Sequence, residues 1–152
     1  MSEELTAQVV AQGANQEIVD LLAHVCAVTH MRFSAVARVT DSQWIACQVD
    51  DRIDFGLAPG DELELRMTIC DDIRKSGQMV VIDSVDDHVD WQTHAVPAFY
   101  GFKSYASLPV YAADGSFYGT LCALDPDPKT VSSAQIVSEL EACAKRLTAL
   151  LG

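Results

Sequence analysis

The sequence lacks any apolar run approaching the roughly 18–20 residues that a membrane span needs. Its start, MSEELTAQVV, carries acids and no basic, apolar signal segment. Basic residues are scarce, 10 Lys and Arg against 22 Asp and Glu, for a net charge of −12. That balance argues against nucleic acid or an anionic membrane as partner, since both are bound largely through Lys and Arg. The five cysteines are an odd number and lack metal-type spacing, which argues against a disulfide framework and fits a reducing compartment. A cytoplasmic address is therefore the expectation. Internal repeats, low-complexity tracts and interdomain linkers are also missing.

What is present is the composition of an ordinary globule. At 152 residues, 49% apolar and 21% charged, the chain is long enough for one domain with a core that needs no staples. The most organised stretch is Lys103–Asp125, KSYASLPVYAADGSFYGTLCALD. Two apolar-rich runs flank Asp114-Gly115, a strong signal for a two-residue hairpin turn. With that turn, Tyr111 faces Tyr118, Pro109 faces Thr120, Ser107 faces Cys122 and Tyr105 faces Leu124. Side chains alternate between faces. One face is then wholly apolar (Ala106, Leu108, Val110, Phe117, Leu121, Ala123), as if packed under helices. The other mixes hydroxyls, a thiol and aromatics. Two readings of that face stand side by side: the wall of a cavity, or ordinary core with hydroxyls bonded to the backbone.

The rest of the chain supplies the layers. Residues 1–14 read as a polar segment broken by Gly13, and 15–152 as a single domain. Asn15 is a good cap for a helix whose Ile18, Leu21, Leu22, Val25 and Cys26 recur at helical spacing. Phe33–Val39 and Trp44–Val49 read as strands around the turn Asp41-Ser42. Residues 50–61 read as a loop, and Glu62–Ile69 alternates as a half-buried strand. Asp71–Ser76 forms a short helix ended by Gly77, and Met79–Ile82 a short strand closed by Asp83. The segment 84–102 is long for a passive connection, as binding loops and lids often are. A last helix begins at Ser132 or Ser133, with acids early and bases late. It runs to the chain end without a C-cap, as a module excised from a longer protein does. These elements predict an α+β fold: a six-stranded antiparallel sheet with terminal helices on one face and short helices and loops on the other.

The series Thr68-Ile69-Cys70, Val80-Val81-Ile82-Asp83, Phe102-Lys103-Ser104-Tyr105, Leu108-Pro109-Val110, Asp114-Gly115, Gly119-Thr120-Leu121-Cys122 and Asp125-Pro126 resembles a GAF domain. The nearest pattern is that of GAF modules in bacterial sensor histidine kinases and related signalling proteins. The resemblance implies a pocket on the sheet face opposite the terminal helices, and dimerisation through those helices. It also implies a small ligand and a fused output domain, the module itself being non-catalytic. Candidate pocket residues are Tyr105, Ser107, Thr120 and Cys122 from the hairpin, with Cys70 and Asp83 at the rim. Trp91, His94 and Phe99 come from the cover. Asp83 has a second reading, as a cap for the backbone amides of the loop that follows it.

The residues also bear on the ligand class. A covalent bilin is disfavoured, because residues 71–121 hold no cysteine. The Asn-Lys-Phe-Asp-Glu type motif of cyclic-nucleotide relatives is missing. Haem needs an axial ligand, and His88 or His94 in a polar loop reads better as solvated. Asp86, Asp87, His88, Asp90 and His94 lack the spacing of a familiar metal site. The cofactor stays unassigned. Two alternatives stand beside the sensor reading: a ligand-free dimerisation scaffold, and a thiol-dependent methionine sulfoxide reductase or redox sensor using Cys70 and Cys122.

Overall fold

The computed structural model describes residues 2–63, 69–87 and 101–151. Helices α1 (Ser2–Gly13) and α2 (Gln16–Thr29) precede strands β1 (Phe33–Val39), β2 (Trp44–Asp51) and β3 (Glu62–Leu63). Helix α3 (Cys70–Ser76), strand β4 (Val80–Ile82), a 3-10 turn (Val85–Asp87), strands β5 (Ser104–Tyr111) and β6 (Phe117–Asp125) and helix α4 (Ala134–Leu151) complete the chain. The strands form one sheet in the order β3-β2-β1-β6-β5-β4, and every described pairing is antiparallel. The predicted α+β architecture is the observed one.

Local chemistry fixes the element ends. Asn15 accepts the Glu17 N–H at 2.8 Å and starts α2. Ser133 accepts the Ile136 N–H at 3.3 Å at the start of α4. Gly77, in the left-handed region, returns its N–H to the Ile73 carbonyl and ends α3. The segment Ser2–Gly13, read from the sequence as polar, is a helix. Its apolar residues make no stripe, and of its described side chains Val9 alone is fully buried. Polar ties to the sheet supplement that anchor: Tyr118 donates to Gln12 Oε1 at 2.9 Å, and Gln48 Nε2 to the Gly13 carbonyl at 2.9 Å.

The sheet carries cores on both faces. On one, Leu22, Val25, Leu140 and Leu147 of α2 and α4 pack on Val36, Ile45, Leu108 and Leu121. Each such side chain, fully buried, contributes about 1.5–3 kcal/mol. On the other, Ile69 and Ile73 of the α3 region pack on Phe33, Ile82, Tyr105 and Leu124. A smaller group there joins Ala37, Trp44, Ala46 and Cys70. At the edge of the first face Asp125, fully buried, accepts from Arg32 N, Nε and Nη2 at 2.9–3.0 Å. It thereby pins the end of β6 to the α2–β1 connection.

The hairpin departs from expectation at its tip. Its loop has three residues, not two: Gly115 N–H bonds to the Ala112 carbonyl and Ala112 N–H to the Ser116 carbonyl. Gly115 sits at φ 88°, where a side chain is strained. The extra loop residue shifts the pairing by one, so Tyr111 faces Phe117. A bulge at Tyr118 then restores the predicted register, and Pro109↔Thr120, Ser107↔Cys122 and Tyr105↔Leu124 stand. Between tip and bulge the faces are exchanged. Tyr118 lies under the helices and Phe117 on the opposite side, the reverse of the sequence reading. Next to the bulge, a Cβ on Gly119 would meet the Ala37 carbonyl oxygen at 1.8 Å, so the residue there must be glycine for β1 and β6 to pair.

Candidate functional site

On the sheet face away from the terminal helices lies a cavity of about 40 Å³, room for a few water-sized occupants. Its floor is the sheet: Phe33, Tyr105, Cys122 and Leu124. Ile69 and Cys70 close one side, and Phe102 stacks on Tyr105 with ring centroids 4.9 Å apart. Phe55 and Leu57 reach it from the loop after β2. That loop is shaped by one carboxylate. Asp51 accepts the N–H groups of Ile53, Phe55 and Gly56 at 2.9–3.1 Å. Despite the cost of partial burial, these amides hold its pKa below the usual aspartate value. The curl sets Phe55 against Phe33, centroids 5.0 Å apart.

Behind the apolar lining is a polar cluster. Cys70, the first residue of α3, lies with its Sγ 3.0 Å from Thr120 Oγ1, 3.8 Å from the Tyr105 hydroxyl and 3.9 Å from Ser107 Oγ. Cys122 pairs across the strands with Ser107 and lines the same cavity, and its thiol does most to lower the Cys70 pKa. Burial opposes it, and Thr120, Trp44 and Tyr105 add to it. Cys122 moves the opposite way, well above an ordinary thiol, because it is the donor in the pair and is buried beside the Cys70 charge. Burial likewise raises Tyr105, reinforced by the two sulfurs. The cluster therefore favours the thiolate at Cys70 over one at Cys122.

Trp44, which also lines the cavity, is 3% exposed. Its Nε1 is buried without a hydrogen-bond partner among the described residues. It meets no acceptor with hydrogen-bond geometry, yet it lies near enough to Cys70 to favour the thiolate. An unpaired buried donor costs about 1–3 kcal/mol, so the site has an unmet demand for an acceptor.

The family model for the GAF domain matches residues 10–149. The chain belongs to the GAF family. Solved structures of GAF domains share its fold. The GAF domain region of a Geobacter sulfurreducens protein superposes with a TM-score of 0.72 at 14% identity, covering 97% of each chain. The GAF domain of a two-component sensor histidine kinase from Bacillus halodurans gives 0.67 at 13%, over 91% of this chain and 93% of that one. The type II free methionine-R-sulfoxide reductase of Thermoplasma acidophilum gives 0.67 at 12%, over 90% of both. A search of curated proteins finds no match.

Within this GAF domain the residues singled out from sequence divide into three groups. Cys70, Tyr105 and Cys122 line the cavity. Ser107 and Thr120 lie against Cys70, fully buried. Asp83 is not among the residues lining the cavity. Its carboxylate accepts the N–H groups of Val131 and Ser132 at 2.8 and 2.9 Å and the Ser132 hydroxyl, so these amides belong to a segment distant in sequence instead of the loop that follows it. Trp91, His94 and Phe99 lie outside the described residues. Sequence reasoning missed Trp44, Phe55, Leu57 and Phe102. The signal available for Phe55 and Leu57 was the acid-and-glycine pattern of Asp51–Gly56, which reads as a curl but does not say where it lands. Among the described residues no group of three or more His, Cys, Asp or Glu is arranged to hold a metal, and no helix is long and apolar enough to cross a membrane.

Proposed function

We propose that this GAF domain is the sensory or regulatory module of a bacterial signalling protein. A compact, largely apolar ligand with one hydrogen-bond acceptor occupies the cavity, its acceptor meeting Trp44 Nε1. The buried indole N–H, without a partner among the described residues and set in a largely apolar lining, is the observation that carries this reading. The ligand biases the arrangement of α2 and α4, and that bias passes to a fused output domain such as a histidine kinase. The module itself is non-catalytic, cytoplasmic and paired with a second copy through its terminal helices. The similarity to a sensor histidine kinase GAF domain supports this context. Native mass spectrometry of the purified protein, with an absorption spectrum of the same sample, tests it. Added mass that is lost on denaturation, and lost again in Trp44→Phe, is the expected result. Visible absorbance from a haem or bilin overturns the assignment.

One observation favours a second reading. The cavity is small, so a domain that binds nothing and only holds two copies together also fits it. A dimer that gains no thermal stability from any compound in a screen of small acceptor-bearing molecules selects that reading.

A further inference from the structure

The thiol pair in the cavity goes beyond ligand binding and does not depend on it. We propose that Cys70 and Cys122 are a dithiol–disulfide couple, oxidised by hydrogen peroxide or a comparably small hydroperoxide admitted to the cavity. Cys70 Sγ touches Thr120 at 3.0 Å and Ser107 at 3.9 Å, the same-face neighbour and the cross-strand partner of Cys122, so the two thiols share one corner of the cavity. The two come from separate elements, the first turn of α3 and the middle of β6, and meet across the cavity wall. Cys70 is ringed by hydroxyls, with Thr120 at 3.0 Å. The other three cysteines are also buried but have different surroundings. Cys26 bonds to Ser34, Cys47 to the Val9 carbonyl and the Tyr118 hydroxyl, and Cys143 lies in the helix-face core.

Chemistry and size agree on the oxidant. Thiolates, not thiols, attack peroxides, and the donors around Cys70 favour the thiolate there. Burial raises the pKa of Cys26, Cys47 and Cys143. A cavity of about 40 Å³ takes hydrogen peroxide, which is about the size of two waters, and excludes a bulky disulfide such as oxidised glutathione. In the first step Cys70 Sγ attacks one peroxide oxygen. The S–O bond forms, the O–O bond breaks, and the leaving hydroxide takes a proton to become water. The product is a sulfenic acid on Cys70. Oxidation removes the negative charge that helps to keep Cys122 protonated. Cys122 then attacks Cys70 Sγ as its own proton leaves. The S–S bond forms, the S–O bond breaks, and the hydroxyl departs with that proton as a second water. The two thiols supply both electrons, and one peroxide becomes two waters.

The test uses the intact chain. Native protein is treated with hydrogen peroxide, quenched, denatured, alkylated and mapped by mass spectrometry, with circular dichroism showing that the fold persists. The expected product is lighter by two hydrogens, with Cys70 and Cys122 cross-linked and the other three cysteines alkylated. Cys122→Ser, or Cys122→Ala where the serine variant folds poorly, stops at the sulfenic acid on Cys70, which dimedone traps. Oxidised glutathione leaves both thiols free. The proposal is overturned if Cys70 and Cys122 stay as alkylatable as in untreated protein. It is equally overturned if Cys26, Cys47 or Cys143 is oxidised first, or if glutathione cross-links the pair as readily as peroxide does.

Discussion

The two faces of the sheet each bury a thiol at similar depth, Cys47 under the helices and Cys70 under the pocket side, and shift their pKa values in opposite directions. Cys47 has one hydroxyl neighbour, Tyr118, at 3.6 Å, and burial raises its pKa. Cys70 is as deeply buried but gathers a thiol and several hydroxyls, and its pKa falls. Burial alone therefore does not set the charge of a buried sulfur; the count and aim of donors do. The same contrast runs through the packing. The helix face is filled largely by Leu, Ile and Val from seven elements. The pocket face keeps a small void and an indole N–H without a partner among the described residues.

The comparison is sharpest in a pair of truncations. Leu22→Ala, at a fully buried position of the helix face, is expected to cost about 2–5 kcal/mol in urea unfolding. Leu124→Ala borders an existing cavity and should fall at the low end of that range. An equal or reversed order removes the distinction between the faces.

Next in size is the loop over the pocket. Asp51→Ala leaves three loop amides without their acceptor and should cost about 0.5–2 kcal/mol, the scale of a lost helix cap. Its carboxylate pKa is lowered in the fold. The stabilisation is thus fully present above the ordinary aspartate value of about 3.9 and is lost as pH falls through the lower folded value. The acid limb of the stability curve should flatten in Asp51→Asn. An unchanged limb rules out the amide cradle as its source.

The thiol contrast is read by ultraviolet titration near 240 nm. A thiolate step below the ordinary thiol pKa of about 8.5 should vanish in Cys70→Ser and survive in Cys47→Ser. In that window the unfolded chain binds more protons at Cys70 than the folded one, so stability should rise with pH up to about 8.5. Loss of the step in both variants, or in neither, dissolves the contrast.

The smallest effect is expected at Trp44. Trp44→Phe removes a buried donor without a partner among the described residues but also some packing, and the two should offset to within about 1 kcal/mol. A large loss of stability would mean that the indole N–H is paired after all.

Much of this was legible because alternation is a local rule. The pairs Ser107↔Cys122 and Tyr105↔Leu124 follow from one turn and a period of two. The same rule failed at Tyr118 and Phe117, where a longer loop and a compensating bulge cancel everywhere except between themselves. Helix α1 was hidden because the sheet anchors it through Val9, Gln12 and the Gly13 carbonyl, which make no periodic stripe. The cavity was half visible. Its hairpin floor follows from register, while Trp44, Phe55 and Phe102 reach it through long-range packing that no local spacing encodes.

The Asp83 carboxylate has a mechanical consequence. It rivets the end of β4 to the backbone just ahead of α4, and β4 pairs with β5 at Ile82↔Tyr105, beside Cys70. Helix α4 has 18 residues and is therefore roughly 27 Å long. With the rivet as fulcrum, a tilt of about 2° at the near end swings the far end by about 1 Å over that length. A slight displacement at the near end is in this way enlarged at the Leu151 end of the helix.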